Sequence, residues 1–191
     1  MLFRSYFAYF GAAAGDPAEG WYAYDLGAWR IYALNANRSD VGGCGTASPQ
    51  YAWLVADIDA HPGGCQMAYW HHARWSSGTF HGSDPRTDAF WSLLVARGAE
   101  LVVVGHEHNY ERFAPLDASG VPDPAGTREI VVGTGGFSHH AEFGPPLGGS
   151  EVRNGDTWGV LQVTLHADRY EWDFLPEAGH SFTDSGSTYC H

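Results

Sequence analysis

Residues 101–112 read Leu-Val-Val-Val-Gly-His-Glu-His-Asn-Tyr-Glu-Arg. Four consecutive apolar residues ahead of Gly105 have the character of a short strand buried on both faces. In an extended segment residues two apart point to one side, so His106 and His108 converge; in a helix they would lie about 200° apart. Gly105 frees the backbone to turn at the carboxyl end of the strand, where α/β proteins build their sites. Two imidazoles on one side suit a metal ion. The plain alternative is a pair of surface loop histidines.

A second cluster upstream has the same form. Gln66 to Trp70 reads as a buried strand and runs into His71 and His72, which face opposite ways there. If one is a ligand the other packs behind it, and the sequence does not select between them. His81 follows ten residues after His71 in a loop of Gly and Ser, placed either to donate to a phosphate oxygen or leaving group or simply to be exposed. Ile130 to Val132 repeats the apolar run before Gly133-Thr134-Gly135-Gly136, a backbone nest for an anion or a plain turn. Arg112 is expected to anchor its surroundings through a salt bridge.

Around these runs the chain alternates. Trp21 to Asp25 and Trp29 to Leu34 predict neighbouring strands about Leu26-Gly27-Ala28. Ser48 caps a helix begun by Pro49, with Tyr51, Leu54, Val55 and Ile58 on one face, and Pro62-Gly63-Gly64 ends it. Pro85 to Ala96 predicts a second helix. Ala114 to Thr127 and Ser138 to Asp156 predict loops, and Val160 to Leu165 with Arg169 to Phe174 a final hairpin. Strands alternating with helices, then strands in a row, give a layered α/β sandwich on a mixed sheet, one domain over residues 1–191.

Composition narrows the function classes. The formal net charge is -12, with all ten basic residues Arg, so a nucleic-acid partner is disfavoured. No apolar run reaches the roughly 20 residues of a membrane span. Arg4 followed by Tyr6 to Ala14 has some features of a signal peptide, but its two tyrosines and early Gly favour a folded amphipathic segment. Cys44 and Cys65 bracket the first helix, a placement that suits a disulfide worth roughly 3 kcal/mol, against the alternative of two thiols. Cys190 has no evident partner in the chain, so its partner is expected upstream. A Gly-x-Ser-x-Gly elbow, a Walker loop and a His-Glu-x-x-His helix are all absent from the sequence.

A strand ending in a histidine, a loop histidine, then a strand ending in Gly-His-x-His-x-Tyr-Glu-Arg resembles the second half of the calcineurin-like metallophosphoesterases, and most closely their purple acid phosphatase branch. The likeness extends from Tyr6-Phe7-Ala8-Tyr9-Phe10-Gly11 through Gly133-Thr134-Gly135-Gly136 to Ser181-Phe182-Thr183-Asp184-Ser185-Gly186. It implies an α-β-β-α sandwich of the metallo-dependent phosphatase type with its N-terminal part missing. It also implies two divalent or trivalent metal ions, iron with zinc, manganese or a second iron, acting on small-molecule phosphate monoesters or diesters. His71 and His106 then hold one metal and His108 the other, with His81 as the catalytic, substrate-facing histidine. His139 and His140 match nothing in the family pattern. The parent protein is expected to be secreted.

The family's first half supplies Asp-x-His, Gly-Asp-x-x-Asp and Gly-Asn-His elements that are not in place here. Asp59-Ala60-His61 has the letters of the first but sits at a helix end, and Gly15-Asp16-Pro17-Ala18-Glu19 imitates the second without a preceding strand. An incomplete gene product, with an unpaired sheet edge and exposed apolar surface, is the expectation. Two rival functions follow: an incompetent or partial protein that keeps the fold and binds at most one metal or phosphate, and a mononuclear zinc hydrolase using His71, His106 and His108.

Overall fold

The computed structural model describes residues 8–17, 19–37 and 41–191. Seven strands form the main sheet: β1 (Tyr22–Leu26), β2 (Trp29–Ala33), β3 (Cys65–His72), β4 (Leu101–Gly105), β5 (Tyr110–Leu116), β6 (Thr127–Val132) and β7 (Ser150–Asn154). Their order is β1-β2-β3-β4-β6-β5-β7. β2, β3, β4 and β6 run parallel, while β1, β5 and β7 are antiparallel to their neighbours. A second sheet, β10-β9-β8, consists of β8 (Gly159–Leu165), β9 (Arg169–Pro176) and β10 (Ser185–Tyr189).

Two helices carry the crossovers between parallel strands. In α1 (Pro49–Ala60) Ser48 Oγ accepts from the Tyr51 N–H, and α2 (Asp88–Ala96) follows a 3-10 turn at Pro85–Thr87. Both pack on one face of the main sheet, where Leu54, Ile58, Phe90 and Leu94 meet Tyr32, Ala68, Val102 and Val131. The opposite face is covered by the second sheet through Trp29, Ile31, Leu101, Ile130, Tyr170 and Phe174. The layers among the described residues are therefore helix, sheet, sheet, and the strand burial alternates or is continuous as each position requires.

Several expectations are corrected. Cys65 pairs with Cys190, across 125 residues, and not with Cys44. The reason is sidedness: Cys65 opens β3 in the core beneath the second sheet, whereas Cys44 is buried on the helical side with its thiol toward the Asn35 carbonyl. The loop expected from Ala114 gives way to β5 as far as Leu116, because a register shift between Arg112 and Pro115 lets the strand accommodate a proline. The loop expected at 138–156 contains β7, a polar edge strand with little apolar signal. Of the amphipathic segment expected at Arg4 to Ala14, residues 1–7 lie outside the described residues and Gly11–Ala14 form a 3-10 turn.

Candidate metal centre

β3, β4 and β6 lie side by side and parallel, so their carboxyl ends and the loops that follow open on one edge of the sheet. That edge collects His71 and His72 from β3, His106 and His108 beyond β4, and His140 beyond β6. β3 carries a register shift between Tyr69 and His72, which re-aims the strand end. As a result both rings approach His106, His71 at 4.7 Å and His72 at 4.3 Å between centroids, rather than parting to opposite faces as an unbroken strand would have them.

The segment after β4 is not extended. Glu107 N–H donates to Gly105 O at 2.8 Å and Asn109 N–H to Glu107 O at 2.9 Å, two successive three-residue turns. His106 at the centre of the first has φ +65°, the only positive φ among the described non-glycine residues. Even so, burial alternates: Glu107 and Asn109 are fully buried, and His106 and His108 turn toward the open edge.

Glu107 points inward and organises the His81 loop, its two carboxylate oxygens accepting the N–H groups of Phe80 (3.1 Å) and His81 (2.9 Å). This brings the His81 ring onto His106, stacked at 3.8 Å, and within 6.4 Å of His108. Two glycines make room for Glu107. A Cβ on Gly78 would stand 2.0 Å from Glu107 Oε1, and one on Gly133 would stand 2.0 Å from the Glu107 carbonyl oxygen.

The ligand-type atoms converge. His71 Nε2 and His106 Nδ1 are 2.9 Å apart, and His108 Nδ1 lies 2.8 Å from Ser138 Oγ, leaving Nε2 as the outward nitrogen. Burial lowers the pKa of His106 to about 4, with help from neighbouring His81 and His71, and also lowers those of His71 and His108. These imidazoles are neutral at pH 7, with lone pairs to offer. His72 is lowered to about 4, first by burial and then by Arg86, whose Nη1 donates to His72 Nε2 at 2.9 Å. His72 is thus the buried member of its pair and His71 the exposed one, a choice the sequence left open.

No family model matches the chain. Purple acid phosphatase 15 of Arabidopsis thaliana is 29% identical over 139 residues, covering 70% of this chain and 25% of that protein. Purple acid phosphatase 18 of the same plant is 33% identical over 94 residues, covering 47% and 21%. A purple acid phosphatase from yellow lupin (Lupinus luteus) seeds shares the fold, with a TM-score of 0.76 over 92% of this chain and 34% of that one at 20% identity. By sequence and fold the chain is purple-acid-phosphatase-like. It spans about a fifth to a quarter of the length of those curated relatives.

The donor set of this purple-acid-phosphatase-like chain fits a cation at His71 and His106. Two nitrogens at 2.0–2.1 Å from one tetrahedral zinc lie roughly 3.3 Å apart, close to the separation already present. The nearby carboxylates are committed: Glu107 to two backbone N–H groups, and Asp84 to Arg86 at 2.6 Å. Asp59 of the Asp-x-His look-alike pairs with Arg97, away from the histidines. Arg112 does anchor its surroundings, its Nε donating to Asp184 Oδ2 at 2.7 Å.

Sequence reasoning missed Glu107, Ser138 and His140. Glu107 was masked by the histidines on either side. His140 had a faint signal, since Ile130 to His140, like Leu101 to His106, is an apolar parallel strand followed by glycine and then histidine.

Proposed function

We propose that this chain supplies the histidine half of a dinuclear centre for hydrolysis of small-molecule phosphate monoesters or diesters. His71 and His106 serve one cation and His108 the other. The carrying observation is the approach of His71 Nε2 to His106 Nδ1 at 2.9 Å beside a His108 ring oriented by Ser138. Metal ions held there, iron with zinc, manganese or a second iron, would lower the pKa of a bound water and offset charge on the phosphoryl oxygens.

The chain's own groups have distinct tasks. His71 and His106 face each other through ring nitrogens in hydrogen-bond contact at 2.9 Å, and a cation would take the place of the shared proton. Ser138 accepts the His108 Nδ1–H and so fixes which nitrogen faces outward. His81, on a loop tied down by Glu107, faces the ester and donates to a phosphate oxygen or to the leaving oxygen. The disulfide between Cys65 and Cys190 is consistent with export to an oxidising compartment.

One observation favours a second reading. Among the described residues no uncommitted carboxylate stands beside the histidines, and neutral imidazoles alone do not offset two cations. A protein that keeps the fold and binds one metal or phosphate would look the same. Elemental analysis of the purified chain, with hydrolysis of a chromogenic phosphate monoester under added iron, zinc or manganese, separates them. Near two metals per chain and turnover abolished in a His106→Ala, His108→Ala double variant supports the first reading. One metal or none, without turnover, overturns the first reading and supports the second.

A further inference from the structure

His140 lies outside every element that the family resemblance accounts for, yet it grips His108 from three directions. Its backbone N–H donates to His108 O at 2.9 Å, and its ring Nδ1 accepts from His108 N–H at 3.1 Å. Its ring lies parallel to the His108 imidazole, 4.2 Å between centroids and 12° between planes. Phe80 stacks on the opposite side at 4.0 Å and 21°, so His140 is the middle ring of three. The carbonyl of His140 accepts from Asn109 Nδ2 at 3.3 Å, closing a further link to the same turn.

Because a backbone N–H claims the Nδ1 lone pair, Nδ1 carries no proton and the ring holds its hydrogen on Nε2. The Glu107 carboxylate, 3.5 Å from Nδ1, receives no proton from it and is already occupied by the Phe80 and His81 N–H groups. The His140 side chain is only 9% exposed. Phe80 belongs to the loop that carries His81, so the three-ring stack joins the His81 loop to the His108 turn without any covalent or ionic tie.

We infer that His140 is a positioning residue: it sets the backbone and ring plane of His108 and, through Phe80, the placement of His81. This rests on the reading of His108 as a ligand, and the geometry gives it two separable parts. The Nδ1 acceptor fixes the His108 backbone, and the stacked ring fixes the plane of its imidazole. A shell of this kind around a ligand histidine alters metal affinity by roughly 10- to 100-fold.

Long-range 15N–1H NMR of the histidine side chains tests it, first on the metal-free chain and then during titration with Zn2+. The wild type should show His140 as the Nε2–H tautomer and a single sharp set of His108 signals. In His140→Ala the His108 signals should broaden or divide before any metal is added. The Zn2+ affinity should then fall about tenfold, with the loss confined to the His108 response while His71 and His106 shift as in the wild type. His140→Phe keeps the stack and the packing but removes the acceptor, so its loss should be smaller. Unchanged His108 signals and unchanged affinity in both variants would overturn the inference. If Zn2+ leaves His71, His106 and His108 unmoved in the wild type, the metal reading fails; the metal-free His108 signals still decide the role of His140, and identical signals in wild type and His140→Ala would sink it.

Discussion

His106 presents its imidazole from a backbone conformation that L-residues avoid, at a cost of roughly 1–2 kcal/mol. The turn is imposed by what flanks it: Gly105 closes β4 inside the parallel sheet, and Glu107 must point inward to reach the His81 loop. Two substitutions separate strain from ligation. His106→Gly should unfold at a higher denaturant concentration than His106→Ala by about 1 kcal/mol, while both lose the metal response; equal stability of the two would show that the turn is unstrained. Beside it, Gly78→Ala pushes a methyl group into the Glu107 carboxylate. Denaturant titration should show a loss of about 2 kcal/mol or more, and a neutral result would mean that the loop shifts freely.

At the scale of elements, the last strand is held by two devices. The bond from Cys65 to Cys190 closes 125 residues of chain, and Asp184 ahead of β10 accepts from Tyr110 Oη (2.6 Å), Arg112 Nε (2.7 Å) and Trp172 Nε1 (3.2 Å). Asp184→Ala leaves the largely buried Arg112 with Glu151 alone and takes the acceptor from Tyr110 and Trp172, and should cost roughly 1–3 kcal/mol. Reduction of the disulfide should cost roughly 2–5 kcal/mol. Urea unfolding with and without reductant measures both, and no change on reduction would remove the disulfide from the stabilising set.

The same elements show what was legible in the sequence. β3, β4 and β6 are apolar runs that announce themselves, and α1 carries its cap and its proline, so the half of the fold that positions the site could be read directly. β7 and β10 are polar edge strands, β7 pairing with the distant β5 and β10 with the preceding β9, and their sequences carry no apolar run to mark them. The disulfide was misread because proximity along the chain was weighed and the face of the sheet was not. His71, His81, His106 and His108 were singled out from their places in or after apolar strands, and the fold draws their rings together; His140 was passed over because only the fold shows its ring between Phe80 and His108.

Across the whole molecule, two sets of buried groups oppose each other with pH. His72 and His106 titrate at about 4 when folded against about 6.5 unfolded. As pH falls from about 6.5 to about 4 the unfolded chain takes up protons that the folded chain refuses, and stability drops. Glu129 is fully buried, and burial lifts its carboxyl from 4.5 to about 8. There the folded chain keeps a proton that the unfolded chain has released, so stability also falls as pH rises toward 8. Of these three groups, only Glu129 still contributes above pH 6.5. Thermal unfolding between pH 6.5 and 8 should therefore decline in the wild type and flatten in Glu129→Gln, which still accepts the Trp75 N–H; the same slope in both would assign the effect elsewhere.

X-ray absorption of the zinc-loaded chain would show whether His71 and His106 share one cation. Imidazole nitrogens should stand at about 2.0–2.1 Å from the zinc, with one fewer in His71→Ala and one fewer in His106→Ala. A zinc environment made of oxygen ligands, or an imidazole count unchanged in both variants, would contradict a shared cation.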